Sequence, residues 1–274
     1  MDTAAYFNRI GYAGGREPTL ANLRELVQRH TRAIAFENLS VLAGQAIELA
    51  PAVLERKLVD EQRGGYCFEH NLLLSHVLRQ LGFKVTGLAA RVLWNRPEPI
   101  SVPRTHMLLV VNFAAEPYIV DVGFGGLTLT GVLRLAPDIE QSTPHEPFRL
   151  LRFADIYILQ ALVKSEWRAL YEFDLQPQTD ADYEPLSWYV STHQSSRFVH
   201  HLTAARSETG RRFALLDNQL TVHMLGGDSR RYSLATSREL RESLERDFLI
   251  KVPDTPGMQR VLARIAAGSS SLHH

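Results

Sequence analysis

The chain contains a single cysteine, Cys67, in the stretch DEQRGGYCFEHN, two residues after a glycine pair and just ahead of an apolar run. A lone thiol cannot close a disulfide within its own chain, so Cys67 is either a small apolar filler or a nucleophile. Nucleophilic chemistry would need ionisation. A free thiol with a pKa of about 8.5 is only about 3% thiolate at pH 7, and a helix N-terminus with a nearby imidazolium raises that fraction roughly thirty-fold. The segment supplies the first of these: Gly64 and Gly65 permit a tight approach, and Cys67 begins an apolar helix, where free N–H groups and the positive dipole end lie.

Eleven histidines are present, so geometry must choose the partner. His106 in RTHMLLVV and Asp121 in YIVDVGF lie on strand-like runs joined by the short connection NFAAEP. A hairpin turning near residues 113–116 sets Asp121 within a few residues of directly opposite His106. Each has an ordinary reading alone, a hydrogen-bonded strand histidine and a turn-capping aspartate. Together with a cysteine at a helix start they make a Cys–His–acid constellation, in which the carboxylate orients the imidazole and stabilises its charged form. The following VGFGG contributes Gly123, Gly125 and Gly126, whose backbone N–H groups could hold a phosphate, although neither the dinucleotide nor the P-loop pattern is matched. His200 and His201 diverge on a helix, and His70 and His76 lack i, i+4 spacing, so no metal site is expected.

These groups need elements to carry them. Residues 18–34, 50–60 and 67–81 show helical apolar spacing, the first with Pro18 and Thr19 as a start signal and the last ending at Gly82. After Gly82 the period shortens: FKVTGLAARVLW, THMLLVV, YIVDVGF, FRLLRFA and YILQALV read as strands of an antiparallel sheet or barrel over 83–175. Beyond the polar QPQTDADYEPLSWY, residues 185–202 read as helix, 211–225 as two strands around an Asp217–Asn218 turn, and 237–248 as an amphipathic helix. Helices, then strands, then a mixture argue for an α+β protein of three units.

Thirty basic residues balance thirty acidic ones in 274, so no net field selects nucleic acid or an anionic membrane. No apolar stretch approaches a membrane span, and the start lacks a signal-peptide pattern. One cysteine without an export signal implies a cytoplasmic protein. The tail GSSSLHH reads as a flexible end and is left out of fold reasoning.

The chain resembles the arylamine N-acetyltransferases over nearly its whole length. RGGYCFEHN is similar to that family's cysteine signature, THMLLVV and YIVDVGFGG to its histidine and aspartate strands, AIAFENL to its early Phe-Glu-Asn-Leu motif, and SWYVSTHQSSRF to a later segment. Ala35 stands where the family usually has Pro, and His70 where Gln is common. The resemblance implies a helical bundle over 1–82 carrying Cys67, a β-barrel over 83–185 carrying His106 and Asp121, and an α/β lid over 186–274. The triad order is that of papain-like enzymes. It implies acetyl-coenzyme A as co-substrate, arylamines or arylhydrazines as acceptors, a ping-pong route, and no metal. By the same likeness Phe36, Phe68, Val92 and Phe124 would line the acceptor pocket, Thr105, Gly125, Gly126 and Phe198 would contact coenzyme A, and Arg63 with Glu37 would form a structural ion pair that supports the cysteine loop. The protein would act as a monomer or homodimer. The competing readings are a papain-like or transglutaminase-like thiol hydrolase and a non-catalytic protein that binds coenzyme A or an aromatic ligand.

Overall fold

The computed structural model describes residues 1–95, 102–113 and 116–268. The tail from 269 lies outside the described residues, as do the two positions, 114–115, at the tip of the expected His106–Asp121 hairpin.

The first segment holds α1 (Thr3–Ile10), α2 (Leu20–Ala33), a two-residue strand β1 (Phe36–Glu37), α3 (Leu39–Leu42), α4 (Pro51–Glu55) running into a π-helical turn (Arg56–Asp60), and α5 (Cys67–Gln80). The expected start of α2 is made by the Thr19 hydroxyl, which accepts from the Asn22 N–H at 3.2 Å, satisfying one of the unpaired donors of the first turn. α5 is the central helix. Every residue from Cys67 to Ser75 is buried, because Leu72, Leu73, Val77 and Leu78 pack into one apolar cluster with Tyr6, Leu23, Leu26 and Leu54 from the bundle and Met107, Leu109 and Val111 from the neighbouring sheet.

The sheet has seven antiparallel strands: β2 (Lys84–Val92), β3 (His106–Phe113), β4 (Glu116–Val120), β5 (Leu133–Arg134), β6 (Phe148–Phe153), β7 (Ile156–Val163) and β8 (Glu166–Phe173). They run in the order β5-β4-β3-β2-β8-β7-β6. Isolated bridges from Pro137 to Leu150 and from Gln141 to Phe148 tie the chain after β5 to β6 and nearly close a barrel. β3 explains its own unbroken apolar sequence. Alternate residues Leu108 and Val110 fill the barrel with Ile119, Phe148, Leu150 and Leu170, while Met107, Leu109 and Val111 face the α5 cluster; a strand covered on both faces has no polar side.

The last region comprises α6 (Asp180–Thr192), a 3₁₀ turn (Arg197–Val199), β9 (Thr203–Glu208), β10 (Arg211–Leu216), β11 (Gln219–Met224), β12 (Ser229–Ser233), α7 (Ser237–Arg246) and α8 (Pro256–Ala266). β10 and β11 turn at Asp217, which has φ 52°, with Leu216 opposite Gln219. α7 and α8 cover this sheet through Leu240, Leu244, Val261 and Leu262. Two features differ from the sequence expectation. α6 starts at Asp180, where the Asp182 carboxylate accepts from the Thr179 N–H at 2.7 Å, so it crosses the 185/186 position at which the barrel and lid were divided. And the last sheet runs β1-β9-β10-β11-β12, so the first segment supplies an edge strand through Phe36 opposite Ala205.

Candidate active site

Cys67 is the first residue of α5, and the chain reaches it through a narrow passage. Glu37 N–H donates to Gly65 O at 2.8 Å and Gly65 N–H to Ala35 O at 3.4 Å, so residues 35–37 grip Gly65 from both sides. A Cβ on Gly64 would overlap the Ala35 carbonyl oxygen, and one on Gly65 would meet the Glu69 carboxylate at 2.7 Å. The glycine pair is therefore a steric requirement of the approach to Cys67. Arg63 and Glu37 form the expected buried ion pair at 2.9 Å. Glu69, held by Lys57 at 2.6 Å, accepts from the Tyr66 N–H at 3.0 Å and fixes the start of α5.

His106 opens β3, and Asp121 lies one residue beyond β4. Their strands pair with Leu109 opposite Val120, the register expected from the sequence. The His106 Nε2–H donates to Asp121 Oδ2 at 2.7 Å, which leaves Nδ1 as the ring nitrogen that the carboxylate does not engage. Cys67, His106 and Asp121 are all buried. Burial alone favours neutral imidazole. The Asp121 charge and hydrogen bond override it and raise His106 to about 10. Burial likewise works against ionised Asp121, but His106, the Gly123 N–H and Asn71 hold its pKa below the usual carboxylate range. An imidazolium–carboxylate pair is the stable state of the dyad at neutral pH.

The candidate pocket residues divide into two places. Phe124 stands edge-on to His106 with ring centroids 5.2 Å apart and meets Tyr171 at 5.3 Å; Val92 sits opposite Tyr171 in the β2–β8 pairing. Phe36 packs on Phe198 at 5.7 Å and beneath Gly125, whose added Cβ would touch its ring at 3.6 Å. Phe68 is wholly buried, packed on Tyr66 and Tyr183. Thr105 offers its carbonyl to the Cys67 thiol at 3.6 Å. Gly125 is left-handed, with φ 90°, and Gly126 is exposed with open space where a side chain would stand.

Three supports escaped the sequence reading. Asn71, one turn beyond Cys67, donates to Asp121 Oδ1 at 3.1 Å and to Met107 O at 2.8 Å, and its Oδ1 accepts from the Val122 N–H at 3.1 Å. Tyr171 lays its ring against His106, centroids 4.8 Å apart. Arg212, paired with Glu146 at 2.6 Å, donates to Thr128 O at 3.1 Å, and the Thr128 hydroxyl donates to Asp121 O at 3.0 Å. An asparagine at i+4 from the cysteine is a readable signal; the other two are contacts between residues far apart in sequence. Among the described residues, no group of three or more His, Cys, Asp or Glu could hold a metal ion, and no helix is long and apolar enough to cross a membrane.

Comparison with known proteins extends these findings along the chain. A family model described as N-acetyltransferase matches residues 19–256. The arylamine N-acetyltransferase of Mycobacterium tuberculosis is 45% identical over 258 residues, covering 93% of this chain and 91% of the relative. That of Escherichia coli is 38% identical over 250 residues, covering 91% and 89%. The solved structure of Mycobacterium marinum arylamine N-acetyltransferase superposes with a TM-score of 0.93 at 41% identity, over 97% of this chain and 100% of that one. The same enzyme in complex with CoA gives 0.92 at 41% identity, over 96% and 99%. Since the likeness runs through bundle, barrel and C-terminal sheet alike, and is not confined to the stretch around the thiol, the chain belongs to the arylamine N-acetyltransferase family.

Proposed function

We propose that this protein transfers an acetyl group from acetyl-coenzyme A to the nitrogen of arylamines and arylhydrazines through an acetyl-cysteine at Cys67. The observation that carries the reading is the His106–Asp121 contact of 2.7 Å next to a cysteine at the start of a buried helix. An imidazolium at His106 stabilises a thiolate at Cys67. The thiolate attacks the thioester carbonyl, a new C–S bond forms, and coenzyme A leaves as a thiol with the proton from His106. The acceptor nitrogen then attacks the same carbonyl, His106 takes the amine proton, and Cys67 is expelled as thiolate, restoring the starting ion pair. An arylamine is unprotonated at neutral pH, whereas an alkylamine is mostly ammonium and has no lone pair to offer.

In this reading Phe124 and Val92, with Tyr171 behind them, form the apolar wall beside His106, and Phe36 with Phe198 flanks the Gly125–Gly126 loop, where coenzyme A would lie against the exposed Gly126. Phe68 would act from beneath, by holding Tyr66. The first N–H groups of α5, those of Cys67 and Phe68, would receive the developing oxyanion. A free thiol of this kind stays reduced in a cytoplasm, where we place the chain, as a monomer or homodimer.

Incubation with acetyl-coenzyme A alone should add one acetyl mass to the peptide containing Cys67. No adduct, or an adduct elsewhere, sinks the mechanism. An arylhydrazine should discharge that adduct much faster than buffer does; equal rates would favour a thiol hydrolase.

A further inference from the structure

The helix that carries the nucleophile shares with α2 a second set of histidines that the chemistry does not use. His30 on α2 and His70 on α5 are both 0% exposed, and four groups join end to end. The Tyr6 hydroxyl is 2.8 Å from His30 Nδ1, His30 Nε2 is 2.9 Å from His70 Nδ1, and His70 Nε2 is 3.1 Å from Ala35 O.

The direction of this chain is determined. A carbonyl oxygen only accepts, so His70 carries its proton on Nε2 and Nδ1 is its acceptor. His30 must then donate from Nε2 and accept at Nδ1, and Tyr6 supplies that proton. Burial, the largest influence on both rings, pushes their pKa values down, to about 4 for His70. Both rings are therefore neutral at pH 7, as the single-proton links require. The charged groups that face them are Arg9 from α1 toward His30, and Glu37 from β1 and Lys57 from the π-helical turn toward His70.

The chain ends on an atom that matters. Ala35 O also accepts the Gly65 N–H and is the oxygen that a side chain at position 64 would strike, so it sets the path of the two residues before Tyr66 and Cys67. The His70 ring further lies parallel to Phe36, 10° between planes and 6.5 Å between centroids, and Phe36 is the floor under Gly125.

We propose that Tyr6, His30 and His70 form a one-way hydrogen-bond relay that positions the Cys67 loop by holding the Ala35 carbonyl, with His70 as the positioning residue for the nucleophile. Through Phe36 the same ring steadies the glycine loop after Asp121. The inference rests on Cys67 being the reacting thiol.

Two measurements on the full chain test it. Imidazole nitrogen shifts at pH 7 should show both His30 and His70 neutral and protonated on Nε2; a charged ring, or a proton on Nδ1 of either, overturns the relay. In the second, His70→Gln retains an N–H for Ala35 and a carbonyl for His30 with similar spacing, and should form acetyl-Cys67 close to the parent rate. His70→Leu fills space without donating or accepting, and should slow that step about ten- to a hundred-fold at saturating acetyl-coenzyme A. A folded leucine variant at the parent rate, or a glutamine variant that is as slow as a folded leucine one, overturns the proposal. Where the leucine variant fails to fold, the tautomers and the rate of the glutamine variant decide. If the parent itself takes no acetyl group, acyl transfer fails as a reading. The relay is then tested by iodoacetamide alkylation of Cys67, which should be slower in the leucine variant than in the glutamine one.

Discussion

Asn71 donates to Asp121 Oδ1 at 3.1 Å from the helix that begins with Cys67, so the element carrying the thiol also grips the carboxylate that orients His106. The same side chain accepts from Val122 N–H, which locks the chain on either side of the loop into one place relative to α5. Helix and hairpin are thereby held in register by a single buried amide.

Replacing Asn71 by Ala should therefore act on the triad as well as on the fold. Asp121 keeps His106 and the Gly123 N–H but loses one charge-assisted bond, a contribution of about 1.5–3 kcal/mol. We expect formation of acetyl-Cys67 from acetyl-coenzyme A to slow by roughly ten-fold or more, as the imidazole loses a fixed orientation. Rapid-quench mass measurement reads this directly; an unchanged rate would mean that Asn71 is only packing.

The Arg63–Glu37 pair should dominate the stability of the cysteine loop. Both side chains are nearly inaccessible, at 5% and 0%, and Arg63 together with Lys57 and the Leu39 N–H offsets the burial that would otherwise raise the Glu37 pKa. Arg63→Met leaves a buried carboxylate without its nearest cation, which costs about 3–5 kcal/mol. Urea denaturation should show that loss, and adding Glu37→Gln should recover part of it. Additive losses would place the two residues in separate roles.

The local features of this site were readable because local physics sets them. Two glycines before a helix start, alternating apolar strands and the register that brings Asp121 to His106 all follow from residues close in sequence. The contacts that complete the site do not. β1 is two residues long and becomes a strand only because Ala204 and Ala205 pair with it, and Arg212 reaches Thr128 across 84 positions. His70 enters the sequence reading only as a poor zinc ligand beside His76, and His30 does not enter it, since nothing in their spacing of 40 residues signals a shared proton. α8 is legible in the sequence as well: Met258, Val261, Leu262 and Ile265 have helical apolar spacing, and Thr255 accepts from the Met258 N–H at 3.2 Å.

Stability should fall on acidification before carboxylates protonate. The pKa of His70 is lowered to about 4 by burial, while an unfolded histidine titrates at about 6.5. Between those values the unfolded chain binds the extra proton, so the contribution is full above pH 6.5 and is lost as pH falls toward 4, about 3 kcal/mol from His70. His30, also lowered, adds to the same limb. His106 has the opposite sign: raised to about 10, it contributes fully below pH 6.5 and loses that contribution as pH rises through 10. Urea titrations between pH 7 and 4.5 should show the acid loss, and His70→Gln should flatten it. A slope identical in the variant would remove His70 from the account.

Gly123 is where the loop after Asp121 touches the nucleophile's backbone. A Cβ there would lie 2.7 Å from Cys67 Cα and 2.9 Å from Asn71 Nδ2, contacts that no rotamer change at position 123 can relieve. Gly123→Ala must push the loop away from α5, with a strain of about 1–3 kcal/mol, and the movement is spent on the geometry between Cys67, Asn71 and Asp121. We expect a folded protein of lowered melting temperature whose acetylation by acetyl-coenzyme A falls about a hundred-fold. Gly126→Ala is the matched control, since its Cβ would meet nothing within 4 Å; it should leave the melting temperature unchanged. Equal acetylation of the Gly123→Ala variant and the parent would show that the loop yields without disturbing the thiol.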